Sequence, residues 1–88
     1  MSYPNPFTTD TKIVYTLSRA SKVELTIYSI TGEEIVTLLN EEQNSGFHIV
    51  AWNGLDKRGH TAPAGIYVYK LYTESTNTFE VGTILRCD

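Results

Sequence analysis

The sequence predicts an all-β domain, an immunoglobulin-like antiparallel sandwich of six or seven strands. Short runs that alternate large apolar with polar residues recur at near-even spacing, and turn signals rich in Gly, Ser and Asn separate them. Within this pattern, Trp52-Asn53-Gly54-Leu55-Asp56-Lys57-Arg58-Gly59 precedes Gly65-Ile66-Tyr67-Val68-Tyr69-Lys70-Leu71. That stretch reads as a strand ending in Trp, a loop built around D-x-x-G, and a strand whose large residues share one face.

The chain has 88 residues, which makes a single module over 1–88 with no room for a second core. Such a chain buries somewhat over ~60% of its unfolded surface, enough to fold alone with little margin. Six Tyr, three Phe and one Trp supply bulky core material. Cys87 is the single cysteine, so no internal disulfide assists the core. It reads as a free thiol at a frayed end, with an intermolecular crosslink as the alternative.

The opening Tyr3-Pro4-Asn5-Pro6-Phe7 cannot be helical, because each Pro fixes φ, removes a donor and holds its predecessor extended. It enters as an edge segment anchored by Phe7. The first strand, Lys12 to Leu17, carries Ile13, Tyr15 and Leu17 on one face. After Ser18-Arg19-Ala20-Ser21 turns the chain, the second strand, Lys22 to Tyr28, points Val23, Leu25 and Ile27 inward and Glu24, Thr26 and Tyr28 outward. Ser29-Ile30-Thr31-Gly32 suits a type I turn followed by a left-handed bulge glycine.

The third strand, Glu34 to Leu39, does not alternate cleanly through Ile35-Val36-Thr37-Leu38-Leu39. It implies a bulge or a strand shielded on both faces, and a helix of this length without caps is disfavoured. Asn40 to Gly46 reads as a polar, acidic loop. The fourth strand, Phe47 to Asn53, sets His48, Val50 and Trp52 against Phe47, Ile49 and Ala51, with Trp52 and Val50 buried first and Ile49 after them. The loop Gly54 to Ala64 holds the second D-x-x-G-type turn and Pro63. The fifth strand, Ile66 to Tyr72, sends Tyr67, Tyr69 and Leu71 inward and Val68, Lys70 and Tyr72 outward. Ser75-Thr76-Asn77 turns into the last strand, Phe79 to Arg86.

Composition excludes several functions. The net charge is −3, with seven basic residues dispersed among ten acidic ones, whereas nucleic-acid binding needs clustered Lys and Arg. No apolar run approaches the ~20 residues that span a bilayer, and no basic-then-apolar leader is present. Met1-Ser2 ahead of Tyr-Pro-Asn-Pro reads as a start placed on an excised domain.

Catalytic and metal chemistry find little to work with. Asp10, Asn53, Asp56 and Asp88 are oxygen ligands without the spacing of a calcium loop. Asp56 fits better as the first residue of a type I turn, its carboxylate accepting backbone hydrogen bonds. His48 and His60 lie too far apart for a zinc set with the lone cysteine, and no nucleophile is paired with a base. Glu33-Glu34 and Glu41-Glu42 read as solvated turn charge rather than carboxylates facing across a cleft. No metal, cofactor or enzymatic activity is therefore expected. The outward Tyr28 and Tyr72 are the residues that a sugar platform would use, because ring faces stack on sugars while the hydroxyls stay wet. Ordinary surface tyrosines are the alternative.

The assembled motifs are Tyr-Pro-Asn-Pro-Phe, V-x-L-x-I-Y-x-x-x-G at Val23 to Gly32, G-x-H-x-V-x-W-N-G-x-D-x-x-G at Gly46 to Gly59, and A-G-I-Y-V-Y-K-L at Ala64 to Leu71. Together they resemble the C-terminal sorting domain of type IX secretion cargo from the Bacteroidetes and related bacteria. They are equally similar to the immunoglobulin-like domain of the flagellar hook-capping protein. The resemblance implies that Trp52, Asp56, Gly59, Gly65, Tyr67, Tyr69 and Leu71 form the family's core and turn. It further implies that Pro4, Asn5, Pro6, Ile84, Leu85 and Arg86 carry sorting or partner recognition.

On that resemblance the chain is a non-catalytic C-terminal module of a larger secreted bacterial protein. Its implied partner is a secretion translocon or another cell-surface component, at the outer surface or outside the cell. The alternative is an accessory spacer or a carbohydrate-binding module of an extracellular enzyme, with a polysaccharide as partner. The chain departs from the sorting pattern where Glu80-Val81-Gly82-Thr83 replaces an expected Lys, and where Cys87-Asp88 extends past Arg86. The apolar last strand, Phe79 to Arg86, also has the character of an open edge able to pair with another strand.

Overall fold

The structure, a computed structural model, describes residues 1–88 and contains seven strands in two antiparallel sheets. They are β1 (Ser2–Tyr3), β2 (Thr11–Leu17), β3 (Ser21–Ser29), β4 (Glu34–Gln43), β5 (Gly46–Trp52), β6 (Gly65–Thr73) and β7 (Thr78–Arg86). One sheet has the order β1-β2-β5 and the other β4-β3-β6-β7. A 3-10 turn, Glu74–Thr76, closes on Asn77 in the left-handed region, φ 50°, where the turn Ser75-Thr76-Asn77 is read from sequence. The predicted class and strand count are those observed.

The inward residues of both sheets form one core. Ile13, Tyr15 and Leu17 on β2 and Trp52 on β5 face Val23, Leu25 and Ile27 on β3, Tyr67, Tyr69 and Leu71 on β6, and Ile84 on β7. Each set has the two-residue period of a strand, so alternation alone carries them to the interior. Val50 packs against this core half-buried, while Ile49 points outward and is exposed. Burial raises the pKa of Tyr15, with the nearby Glu41 carboxylate adding to the effect, and raises those of Tyr67 and Tyr69 as well.

The irregular apolar run of β4 is resolved by two bulges. Leu25 pairs with Leu39 while Thr26 pairs with Thr37, and Ile27 pairs with Val36 while Tyr28 pairs with Glu34. Leu38 and Ile35 are thus the extra residues, and each insertion shifts the face on which later side chains emerge. Ile35, Val36, Leu38 and Leu39 all reach the core edge as a result.

Two expectations are corrected. Asn40 to Gln43 is strand, because Ser21, Lys22, Val23 and Glu24 pair with Gln43, Glu42, Glu41 and Asn40. The polar residues continue along an edge whose side chains meet water, and only Asn44-Ser45 connects to β5. Thr26 does emerge on the outer face, yet it is 2% exposed. Its hydroxyl lies 3.2 Å from that of Thr37, at the floor of a groove whose walls are longer side chains.

Gly82 shows how tightly neighbouring strands of the four-stranded sheet fit. It pairs with Tyr69 across β6 and β7, and the Tyr69 ring lies where a side chain would be. A Cβ there would come within 2.6 Å of the Tyr69 hydroxyl oxygen. Gly82→Ala is expected to lower stability by ~1–3 kcal/mol through overpacking, read from urea-denaturation midpoints. An unchanged midpoint means the ring yields without loss.

Candidate functional site

Three regions hold the residues singled out in the sequence: the Trp52 loop, the groove on the outer face of the four-stranded sheet, and the corner where the chain's two ends meet.

The loop is a small hairpin hung from Trp52. The indole is fully buried and donates from Nε1 to the Leu55 carbonyl at 2.9 Å. Phe7 lies against it at 5.4 Å between ring centroids, and the edge-on Tyr67 at 5.2 Å. Ala62 donates to the Gly54 carbonyl and Leu55 bridges to Thr61, closing the hairpin stem. At its tip Gly59 donates to the Asp56 carbonyl at 3.0 Å with φ +83°, the left-handed position that glycine accepts without strain.

Within this tip the Asp56 carboxylate accepts from the backbone N–H groups of Arg58 at 2.9 Å and His60 at 3.0 Å. The His60 bond holds its pKa below the usual carboxylate value against the opposing effect of desolvation, and the Arg58 bond adds to the lowering. Asp56 is thus committed to turn geometry. No group of three or more His, Cys, Asp or Glu is placed to hold a metal ion.

On the outer face, Tyr28 and Tyr72 line one groove with Glu24, Thr26, Lys70 and Phe79, about 240 Å³ in volume. Both tyrosines are half-buried rather than freely exposed. Tyr72 donates to Asn77 Oδ1 at 3.0 Å and leans on Phe79 at 4.7 Å, while the Lys70 ammonium sits 4.3 Å from the centre of the Phe79 ring. Phe79, which alternation alone marks only as a strand residue, is thus a wall of this groove. Its register opposite Tyr72 is what places it there.

The corner is formed by the N-terminal segment crossing between sheets. Ser2 and Tyr3 pair with β2, the chain bends through Pro4-Asn5-Pro6, and Phe7 pairs in parallel with Arg86 of β7. The Asn5 carboxamide acts like a strand peptide here. Its Nδ2 donates to the Thr83 carbonyl at 2.8 Å and its Oδ1 accepts from the Leu85 N–H at 2.9 Å. Phe7 then donates to the Leu85 carbonyl at 3.0 Å and accepts from the Cys87 N–H at 2.8 Å.

This clasp corrects the expectation of an open terminal strand for its C-terminal part, while Thr78 to Gly82 pairs with β6 alone. From Thr83 to Cys87 the outer edge of β7 is already paired, because Asn5 and Phe7 supply the partners that a strand would. The two groups of residues that the resemblance singles out, far apart in sequence, are brought together, but not equally to the surface. Pro4, Asn5 and Pro6 are exposed and Leu85 is 41% exposed, whereas Ile84 is fully buried. The Arg86 side chain is only 11% exposed. It lies over Gly54 beside Phe7, so a Cβ on Gly54 would meet its Nε at 2.9 Å.

Among known proteins, the model of the FlgD Ig-like domain matches residues 7–77. No curated protein sequence matches the chain. Among solved structures the chain is similar to PorZ of Porphyromonas gingivalis, described as an essential bacterial surface component of the type IX secretion system. That likeness has a TM-score of 0.71 at 17% identity and covers 100% of this chain and 11% of PorZ. The chain is also similar to FlgD of P. aeruginosa, with a TM-score of 0.69 at 23% identity over 86% of this chain and 60% of that one. FlgD of Xanthomonas campestris, described in connection with hook capping essential for flagellar assembly, gives 0.69 at 22% identity over 92% and 60%. The chain therefore spans 60% or less of the length of each of these proteins, and identities this low establish a shared fold.

The Asp56 turn has a pH signature. Its folded-state pKa is depressed, so its stabilising contribution is complete above the unfolded value and is lost as pH falls through the folded one. Asp56→Asn is expected to shrink the acid-induced fall in the urea midpoint between pH 5 and pH 2, the interval in which carboxylates titrate (roughly pH 4 when unperturbed). An identical acid limb in the variant would show that the carboxylate does not support the turn.

Proposed function

The chain belongs to the FlgD Ig-like domain family, and from that premise we propose that it is a non-catalytic C-terminal module of a larger secreted bacterial protein. Its role is to direct that protein through a secretion translocon or to attach it at the outer cell surface. The observation that carries this reading is the corner where Pro4-Asn5-Pro6 is hydrogen-bonded to the Thr83–Leu85 strand. Two segments that resemble sorting motifs become one continuous surface only in the folded domain. A receptor reading that corner tests whether both ends of the domain are present and folded.

The exposed members, Pro4, Asn5, Pro6 and Leu85, make the direct contacts. Ile84 and Arg86 act from beneath, Ile84 by anchoring β7 in the core and Arg86 by packing against Phe7 and Gly54. The fold likeness to a surface component of a type IX system agrees with this reading.

The outer-face groove favours a second reading, an accessory carbohydrate-binding module. Tyr28, Tyr72 and Phe79 offer apolar ring surface beside the charged Glu24 and Lys70, a combination suited to a sugar's ring faces and hydroxyls. Saturable binding of a polysaccharide by the purified chain, lost in Tyr72→Ala, is the result this second reading requires. A spacer role predicts neither that binding nor sorting.

The sorting test fuses residues 1–88 to the C-terminus of a folded reporter bearing an export signal, in a bacterium with a type IX system. Wild-type fusion is expected to reach the surface or the medium. Asn5→Ala and Leu85→Ser are expected to retain the reporter in the periplasm, with delivery reduced at least several-fold. Asn5→Ala removes the hydrogen bonds to Thr83 and Leu85 and one to the Ser2 hydroxyl, a loss of roughly 1–3 kcal/mol, so circular dichroism of the purified variants separates misfolding from lost recognition. Undiminished delivery by both folded variants would sink the reading.

A further inference from the structure

The sheet edges of this domain are not equally protected. At β7 the stretch from Thr83 to Cys87 is paired with Asn5 and Phe7, and the unpaired stretch before it carries Glu80 opposite the inward Leu71, an inward charge that disfavours strand addition. At β4 the edge carries Glu34, Glu41 and Glu42, all exposed, and inserted charges with bulges are a recognised way of blocking strand addition. At β1 the strand is two residues long. The remaining edge, β5, has none of these devices. Gly46–Trp52 contains no charged residue and no proline, and it forms seven residue pairs with β2 and none with any other strand. No loop or side chain hydrogen-bonds to its outer backbone groups. Its outward side chains include Phe47 at 65% and Ile49 at 56% exposure.

We propose that β5 is a self-pairing edge: two copies of this chain join through antiparallel β5 strands about a two-fold axis at Ile49, merging their three-stranded sheets into one of six strands. The strand itself points to a second copy as the occupant. An isologous antiparallel pair must match its own sequence reversed, and Ile49 is the midpoint of Gly46–Trp52. In this register Ile49 faces Ile49 of the other copy. Phe47, the largest side chain of the outer row, faces Ala51, the smallest, so a large residue opposes a small one on either side of the axis.

On the inner row His48 faces Val50, and no charge opposes a like charge anywhere along the strand. Shifting by one residue would set the outer side chains of one copy on the inner side of the other. Shifting by two would leave one end of each strand unpaired. The full register satisfies the outward backbone groups that nothing in the monomer pairs.

The pair adds a single strand-to-strand contact, so the dimer is weak, micromolar or weaker as interfaces of modest area allow. The inference does not depend on the sorting role.

Sedimentation velocity of the 88-residue chain tests it, across about three decades of concentration. The expected result is a concentration-dependent monomer–dimer equilibrium. Ile49→Lys and Ile49→Glu are each expected to be monomeric and folded, since residue 49 is exposed. An equimolar mixture of the two is expected to form a heterodimer, because the charges meet directly at the axis. Val81→Lys, on the outer face of the other sheet, should dimerise like wild type.

A wild-type chain monomeric at every concentration overturns the proposal, as does a dimer that survives Ile49→Lys. Failure of the Lys and Glu variants to pair overturns the register. A monomeric chain whose β5 amides become protected only on adding an extended apolar peptide would assign the edge to a foreign strand, again against the proposal.

Discussion

The burial of Trp52 is the interaction on which most of this domain depends. Its ring meets Phe7 from the N-terminal segment and Tyr67 from β6, and its N–H satisfies the Leu55 carbonyl in the following loop. One side chain thereby joins both sheets, the crossing segment and the hairpin. A domain of this size has no disulfide to share the task, and burying an aromatic of this area while pairing its polar atom is among the larger stabilising contributions available. The D-x-x-G tip is then shaped locally by Asp56, while its position is set by the indole at its base.

The same economy governs the edges. A sandwich of separate sheets must leave strands with unpaired backbone groups, and each such edge is open to another chain. Here the Pro-flanked segment that enters the domain also closes the Thr83–Cys87 part of one edge. Pro4 and Pro6 lack N–H groups that would need partners, and the Asn5 carboxamide supplies the donor and acceptor that a strand residue would offer. Closing that edge and displaying Pro4-Asn5-Pro6 beside Leu85 are consequences of one arrangement. Stability and surface display at this corner are therefore physically coupled, and the unguarded β5 stands out against it.

Much of the core was legible because strand periodicity is a local property. Ile13, Tyr15 and Leu17, then Val23, Leu25 and Ile27, then Tyr67, Tyr69 and Leu71 each declare a face by alternation, and all nine are buried. Turn chemistry was equally local: Gly32 and Gly59 adopt the positive φ that their turns require. Asn40 to Gln43 misled because polarity in a short segment marks exposure, and an exposed edge strand is as polar as a loop. Only its partner, β3, distinguishes them. Thr26 misled because outward direction and exposure differ when taller neighbours on adjacent strands cover a short side chain.

By itself the sequence determined the class of the fold, the inward faces, the turn types and the family motifs, since each rests on residues a few positions apart. The pairing of distant segments was decided by tertiary structure alone. It placed Asn5 against Thr83 and Leu85, set Phe79 beside Tyr72, tucked Arg86 over Gly54, and left β5 as the unguarded edge. The physical reason is that a hydrogen bond across nearly the whole chain has no signature in the spacing of its two ends. Which edge is covered depends on the paths of all the strands together, and no single stretch of sequence contains that information.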